Sequence, residues 1–289
     1  MANNKISMTD ISELKGTRHV LGLSGGKDSA ALAIYIKDHY PDIHEKVEYF
    51  FSDTGAELQE VYDFLDKLEA YLGKEIIRLS SGKDFDHWLK LFNDYLPSAQ
   101  QRWCTRVMKI HPFEEFVGDD LVVSYIGIRA DENREGYISQ KDNIKAVFPF
   151  VENSLIRDDI FRLLEESVGI PEYYQWRSRS GCYFCFFQRQ DEWLGLKRNH
   201  PELFEKAKEY EKKIKTRYDW KDGKVPINGH GYTWSSQGSI DELVKRAEDR
   251  EKELGIIAST RTSSERWQDT LNNMIDDDQY DQACLICSL

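Results

Sequence analysis

The segment Ser24-Gly25-Gly26-Lys27-Asp28-Ser29 constrains this chain more than any other. It follows a short apolar run, Val20-Leu21-Gly22-Leu23, that reads as a β-strand. It opens a stretch from Asp28 to His39 in which Ala30, Ala31, Leu32, Ala33, Ile34 and Ile36 can supply the buried surface of a helix. Two glycines let a backbone approach a ligand closely, and a helix start presents N–H groups and partial positive charge. Lys27 adds a full positive charge and Ser29 a hydroxyl, while Asp28 offers a carboxylate that can hold Mg²⁺ or position a nucleotide. These residues compose a phosphate-binding loop, distinct from a Walker loop, whose glycines are spaced more widely. The competing structural explanation is a tight strand-to-helix turn with a capping serine.

The alternation of strand and helix continues beyond the loop. Residues 47–51 read as a second strand ending at Ser52-Asp53, 58–72 as a helix, 76–79 as a third strand, 102–117 as a helix with a break at Pro112, and 121–128 as a fourth strand. Such alternation implies a doubly wound α/β fold, with a mostly parallel sheet covered on both faces. Ligands in these sheets bind at the carboxyl ends of the strands, and the loops at Ser24, Asp53 and Arg129 each follow a predicted strand. From about residue 186 the pattern becomes helical, over 191–199, 201–217, 239–254 and 263–276, with a glycine-rich loop at 226–238. The expected division is an α/β nucleotide-binding domain with a cysteine site over 1–185 and a mostly helical C-terminal region over 186–289.

The net charge of −12 does not invite nucleic acid by itself, so a DNA or RNA substrate would be held largely through partner proteins. No apolar run approaches the ~18 residues that a membrane span needs, and the first fifteen residues carry no apolar signal core. The expectation is a soluble, cytoplasmic protein. Five cysteines, four of them in the pairs Cys182/Cys185 and Cys284/Cys287, argue against a disulfide framework and for metal, iron–sulfur or redox chemistry. Cys104 with Cys182 and Cys185 would make a three-thiolate site. A [4Fe–4S] cluster on three cysteines leaves one iron open to bind sulfide, whereas a fourth thiolate from Cys284 or Cys287 would close the site for iron–sulfur or Zn²⁺. Buried free thiols are the competing reading.

The loop resembles that of the adenine-nucleotide α-hydrolases, the ATP pyrophosphatase superfamily, and within it the phosphoadenosine-phosphosulfate (PAPS) reductase-like branch. Further segments follow in that branch's order: Asp53-Thr54-Gly55-Ala56-Glu57, Arg102-Trp103-Cys104-Thr105 with Lys109, Gly127-Ile128-Arg129-Ala130-Asp131-Glu132-Asn133-Arg134, and Arg179-Ser180-Gly181-Cys182-Tyr183-Phe184-Cys185. His200-Pro201-Glu202-Leu203-Phe204 is similar to a helical piece of its sulfurtransferase-like members. The resemblance covers roughly residues 18 to 210. It implies that Ser24, Gly25, Gly26, Lys27, Asp28 and Ser29 hold phosphates, that Asp53 lies beside the nucleotide near its ribose or a metal, and that Arg129 and Arg134, in the segment led by Gly127, clamp anions. A helix N-cap at Asp53 and ordinary surface ion pairing at the two arginines are the alternatives. The tail departs from the branch, because the Glu-Cys-Gly-Leu/Ile-His type segment that carries the nucleophilic thiol of PAPS reductases is absent.

Three functions follow as expectations. In the first, an ATP-dependent sulfurtransferase similar to the enzymes of DNA phosphorothioate modification adenylates an acceptor oxygen, which sulfur then replaces. Its catalytic residues would be Lys27, Asp28, Cys182 and Cys185, its sulfur donor a cysteine desulfurase or another protein, and its acceptor DNA or tRNA. The second is a PAPS or adenosine-phosphosulfate reductase, which needs only phosphosulfate binding and a thiol nucleophile. The third is a non-catalytic nucleotide-binding subunit of a larger assembly.

Overall fold

The computed structural model describes residues 5–13, 16–132, 141–217 and 233–254. Five strands, β1 (Arg18–Gly22), β2 (Val47–Ser52), β3 (Ile76–Leu79), β4 (Val122–Tyr125) and β5 (Ile144–Val147), form one parallel sheet in the order β3-β2-β1-β4-β5. β1 lies at the centre, with His19 opposite Val47 of β2 and Val123 of β4. The chain builds outward through β2 and β3, then returns to the other side of β1. The switch in winding direction therefore falls between β1 and β4, where doubly wound folds open a ligand crevice.

Neighbouring residues along each strand serve opposite faces. Leu21, Phe51, Val123 and Val147 enter the main core with helices α1 (Lys27–His39), α2 (Pro41–His44), which packs through Ile43, and α3 (Gln59–Leu72). Val20, Phe50, Val122 and Ile144 meet Phe113 and Val117 on the other side. Both faces are thus covered, which explains why the strands read as nearly continuous apolar runs. The doubly wound α/β fold expected from the sequence is the fold observed.

Some elements differ from expectation. β4 ends at Tyr125, and the chain leaves the sheet before Gly127. Strand β5 and the helix Arg157–Glu165, whose Ile160 and Leu164 are buried in the main core, had no counterpart in the sequence reading. The helical stretch over 103–117 breaks upstream of Pro112, as a π-helical segment, Arg106–Ile110, between Trp103–Thr105 and His111–Val117. Proline has no N–H to give the preceding turn, and a wider turn just before it accommodates that loss.

The C-terminal helices Gln190–Asn199, Pro201–Arg217 and Ile240–Leu254 lie within a residue of their expected bounds, while the expected helix at 263–276 lies outside the described residues. Trp193, Phe204, Tyr210, Trp234 and Leu243 belong to the same core as the sheet. The Trp234 indole stacks on Phe184, with ring centroids 5.0 Å apart, and donates to the Ala207 carbonyl at 2.9 Å. Glu211 accepts the Trp234 and Ile240 N–H groups at 3.0 and 3.2 Å. No described helix is long and apolar enough to cross a membrane.

Candidate nucleotide and thiol site

The loop after β1 is drawn tight by its own hydroxyls. The Ser24 N–H donates to Ser29 Oγ at 3.1 Å, the Gly26 N–H donates to Ser24 Oγ at 3.2 Å, and the two serine hydroxyls lie 3.2 Å apart. Gly25 has φ of +71°, and a Cβ there would meet Val61 Cγ1 at 2.5 Å, so both conformation and space require glycine. Gly26 precedes the first helical residue of α1 and has no side chain to cap the amides of that turn.

Two tyrosines hold the loop from outside. Tyr173 donates to the Gly25 carbonyl at 2.5 Å, and the Lys27 N–H donates to Tyr174 Oη at 2.9 Å. Burial raises the pKa of both phenols and keeps them protonated. Both tyrosines are buried, as are Trp176, Tyr183 and Phe184 nearby. The hydroxyl contacts of Tyr173 and Tyr174 were not anticipated, because nothing in the local sequence pairs residue 174 with residue 27.

Asp28 lies between two cations: Lys27 Nζ is 2.8 Å from one carboxylate oxygen and Arg129 Nη1 is 2.9 Å from the other. Burial opposes its ionisation, but Lys27 and Arg129 together hold the carboxyl well below the usual carboxylate range. Arg129 also pairs with Asp131 and Glu132, so the ion pairing given as its alternative role is present beside its contact with Asp28. It is 13% exposed and belongs to the start of α1. Gly127 makes this approach close, since a Cβ there would lie 2.9 Å from the Asp28 carbonyl oxygen. Gly127→Ala is therefore expected to cost about 1–3 kcal/mol, the usual range for overpacking. Urea melts of the two proteins measure it, and equal midpoints would mean that this backbone contact is not tight. Arg134 lies outside the described residues.

After β2, Asp53 does not cap α3, whose N-cap is Leu58. Its carboxylate accepts the Gly55 N–H and the Tyr62 hydroxyl, each at 2.8 Å, and so shapes the loop. Buried Glu57 accepts the Thr54 hydroxyl at 2.8 Å and lies 3.7 Å from the Cys182 sulfur. Thr54 Oγ1 is 3.2 Å from the same sulfur. Burial, and then the Glu57 carboxylate, push the Cys182 thiol well above its ordinary pKa, with Lys109 and the Thr54 hydrogen bond opposing. Nothing in the local sequence marks Glu57 as a partner of sulfur, because Cys182 lies 125 residues away.

The cysteine turn is fastened to both loops. Ser180 Oγ donates to Ser24 Oγ at 3.3 Å, the Tyr183 N–H donates to the Ala56 carbonyl at 2.8 Å, and the Cys185 N–H donates to the Cys182 carbonyl at 3.1 Å. Cys104 lies on the segment Trp103–Thr105, partly buried against the main core. Among the described residues no three His, Cys, Asp or Glu side chains group to hold a metal ion. The three-thiolate set of Cys104, Cys182 and Cys185 is thus not assembled, nor is an acidic Mg²⁺ site around Asp28, whose oxygens are taken up by Lys27 and Arg129. Cys284 and Cys287 lie outside the described residues.

Residues 18–151 match the phosphoadenosine phosphosulfate reductase domain family. The matched segment includes the phosphate loop, Asp53, Cys104 and Arg129, and ends before Cys182. Two proteins of Methanocaldococcus jannaschii are similar: uncharacterized protein MJ0066, 30% identical over 219 residues, and uncharacterized protein MJ0973, 29% identical over 196. These matches cover 70% and 63% of this chain but only 44% and 45% of those proteins, so the chain spans about half the length of the curated relatives it matches. Among solved structures, the phosphate complex of Candida auris PAPS reductase is similar with a TM-score of 0.42 at 14% identity, covering 55% of this chain and 76% of that one. The U34-tRNA thiolase NcsA of Methanococcus maripaludis, solved with its [4Fe–4S] cluster, is similar with a TM-score of 0.35 at 14% identity, covering 86% and 84%. Just under half of the chain, residues 18–151, is thus similar to the phosphoadenosine phosphosulfate reductase domain family.

Proposed function

We propose that the chain is an ATP pyrophosphatase-type sulfurtransferase. The observation that carries this is the 3.3 Å hydrogen bond from Ser180 to Ser24, which sets the cysteine turn directly on the phosphate loop. A nucleotide with its phosphates at the start of α1 would have Lys27 and Arg129 beside it and the Cys182 thiol within one loop's reach. An acceptor oxygen attacks the α-phosphorus of ATP and pyrophosphate leaves toward Lys27 and the helix start; sulfide released by a donor then attacks the activated centre, and AMP departs carrying the acceptor's original oxygen. The acceptor favoured is a nucleic-acid oxygen, with DNA phosphorothioation as the specific case and tRNA as its variant. Two guanidinium groups next to the cysteine turn of this acidic chain support that choice: Arg102 and Arg179 lie 4.9 and 5.5 Å from the Phe187 ring centroid. No step is assigned to an iron–sulfur cluster or to Mg²⁺.

PAPS reduction is the second reading, favoured by the family match over residues 18–151. It requires a nucleophilic thiolate, and the Glu-Cys-Gly-Leu/Ile-His type segment that carries it in PAPS reductases is absent from the tail. The test is one anaerobically purified sample offered ATP with nucleic acid and a sulfide donor, or PAPS with a dithiol reductant. Pyrophosphate and AMP appearing only with ATP support the sulfurtransferase. Sulfite appearing from PAPS instead would establish the reductase, and binding without turnover of either would leave a non-catalytic nucleotide subunit.

A further inference from the structure

Arg177 is fully buried, in a place where a charged side chain is costly unless it is paired. Its guanidinium donates to two consecutive carbonyls of the cysteine turn, Gly181 at 2.9 Å and Cys182 at 2.7 Å. Its Nε has no hydrogen-bond partner in the protein, so these two carbonyls are what the group is spent on. Gly181, with φ of +131°, gives the backbone the conformation that brings both carbonyls to one side. The Cys182 side chain then lies toward Thr54 and Glu57.

The counter-charge closes the same loop. Buried Glu192 accepts the N–H and hydroxyl of Ser178 at 2.7 and 2.6 Å and the N–H of Arg189 at 2.9 Å. One carboxylate thereby ties residue 178 to residue 189, the two ends of the segment that carries Cys182 and Cys185. Burial works against its charge, and Arg179 and Arg177 sustain it below the ordinary carboxylate value.

The geometry points to Arg177 as a positioning residue for the dithiol: its planar fork fixes where the Cys182 thiol lies relative to the phosphate loop. This rests on the cysteine turn and the phosphate loop forming one site, but not on which sulfur reaction the site performs. A planar guanidinium can serve two carbonyls at once, whereas a lysine ammonium is a single point of charge.

The test uses the full chain with Arg177→Met and Arg177→Lys. Alkylation by iodoacetamide at one fixed pH is followed separately at Cys182, Cys185 and Cys104 by peptide mass spectrometry, alongside ATP binding and thermal melting. The expected result is about a tenfold faster alkylation of Cys182 in Arg177→Met, a smaller increase in Arg177→Lys, and little change at Cys104, as local opening of one segment predicts. Cys104 rising in parallel with Cys182 would show general loosening and overturn the assignment, as would an unchanged Cys182 in both variants. If Arg177→Met fails to fold, Arg177→Lys decides by the same comparison. Wild-type protein that does not bind ATP would sink the sulfurtransferase proposal while leaving the alkylation outcome readable for Arg177.

Discussion

Lys27→Ala is expected to lower pyrophosphate release from ATP by about 10²–10³-fold, the scale seen when one preorganised group facing developing charge is removed. Lys27 starts α1, its ammonium is 2.8 Å from Asp28, and its backbone N–H is tied to Tyr174. Both ends of the residue are thus fixed before any ligand arrives. Charge on the bridging oxygen grows as pyrophosphate departs, so the loss falls mainly on kcat rather than on KM. The fold is expected to survive, because Asp28 keeps Arg129 at 2.9 Å. Steady-state kinetics with a melting curve of the variant measure both points. A rise in KM alone would mean that Lys27 only binds the ground state, and unchanged kinetics would remove the loop from the reaction.

The second large effect is on stability. Glu211 has its carboxyl pushed up to about 7, chiefly by burial, with Asp241 and Glu242 adding to this and the N–H groups of Trp234 and Ile240 opposing it. A carboxyl whose folded pKa lies above its unfolded value binds its proton more tightly in the native state. Its contribution is therefore complete below pH ~4.5 and is lost as pH rises to ~7, a total of about 3 kcal/mol at one pK unit per 1.36 kcal/mol. Glu211→Gln removes this term. The difference in unfolding free energy, variant minus wild type, is expected to climb by about 3 kcal/mol between pH 4.5 and 8 and then level off. Urea melts across that range measure it, and a flat difference would refute the assignment. Glu211 also secures Trp234 behind Phe184, so the same titration bears on the packing behind the cysteine turn.

Much of this was legible in the sequence where local pattern decides structure. The first three strands and the helices at 27–39 and 59–72 follow from apolar periodicity, and each lies within two residues of its expected bounds. The tight loop between β1 and α1 was readable because two glycines and two serines stand between an apolar strand and an apolar helix. What escaped depends on partners distant in sequence. Asp53 was expected beside the nucleotide, with a helix cap as the alternative; its carboxylate bonds Tyr62 and Gly55, leaving Leu58 at the cap position. β4 was read to residue 128 because Ile126 and Ile128 are apolar, yet both are buried in a separate cluster beyond the strand's end. Arg177 gave no signal, since an arginine in a loop is ordinarily solvated. Cys104 shows the opposite failure: its match to a family segment suggested a shared site with Cys182 and Cys185 that the described residues do not form.

The clasp on the phosphate loop also bears on how the protein comes into being. Tyr173 and Tyr174 reach Gly25 and Lys27 across 148 and 147 residues, and Ser180 reaches Ser24 across 156. Contacts this remote in sequence form late, after the cost of closing a long segment has been met. A ribosome that has released only the first five strands has exposed a sheet whose nucleotide loop is still open on one side. If the loop holds a nucleotide as proposed, that competence arrives late in synthesis, when the segment around residue 180 emerges and closes over a loop made some 150 residues earlier.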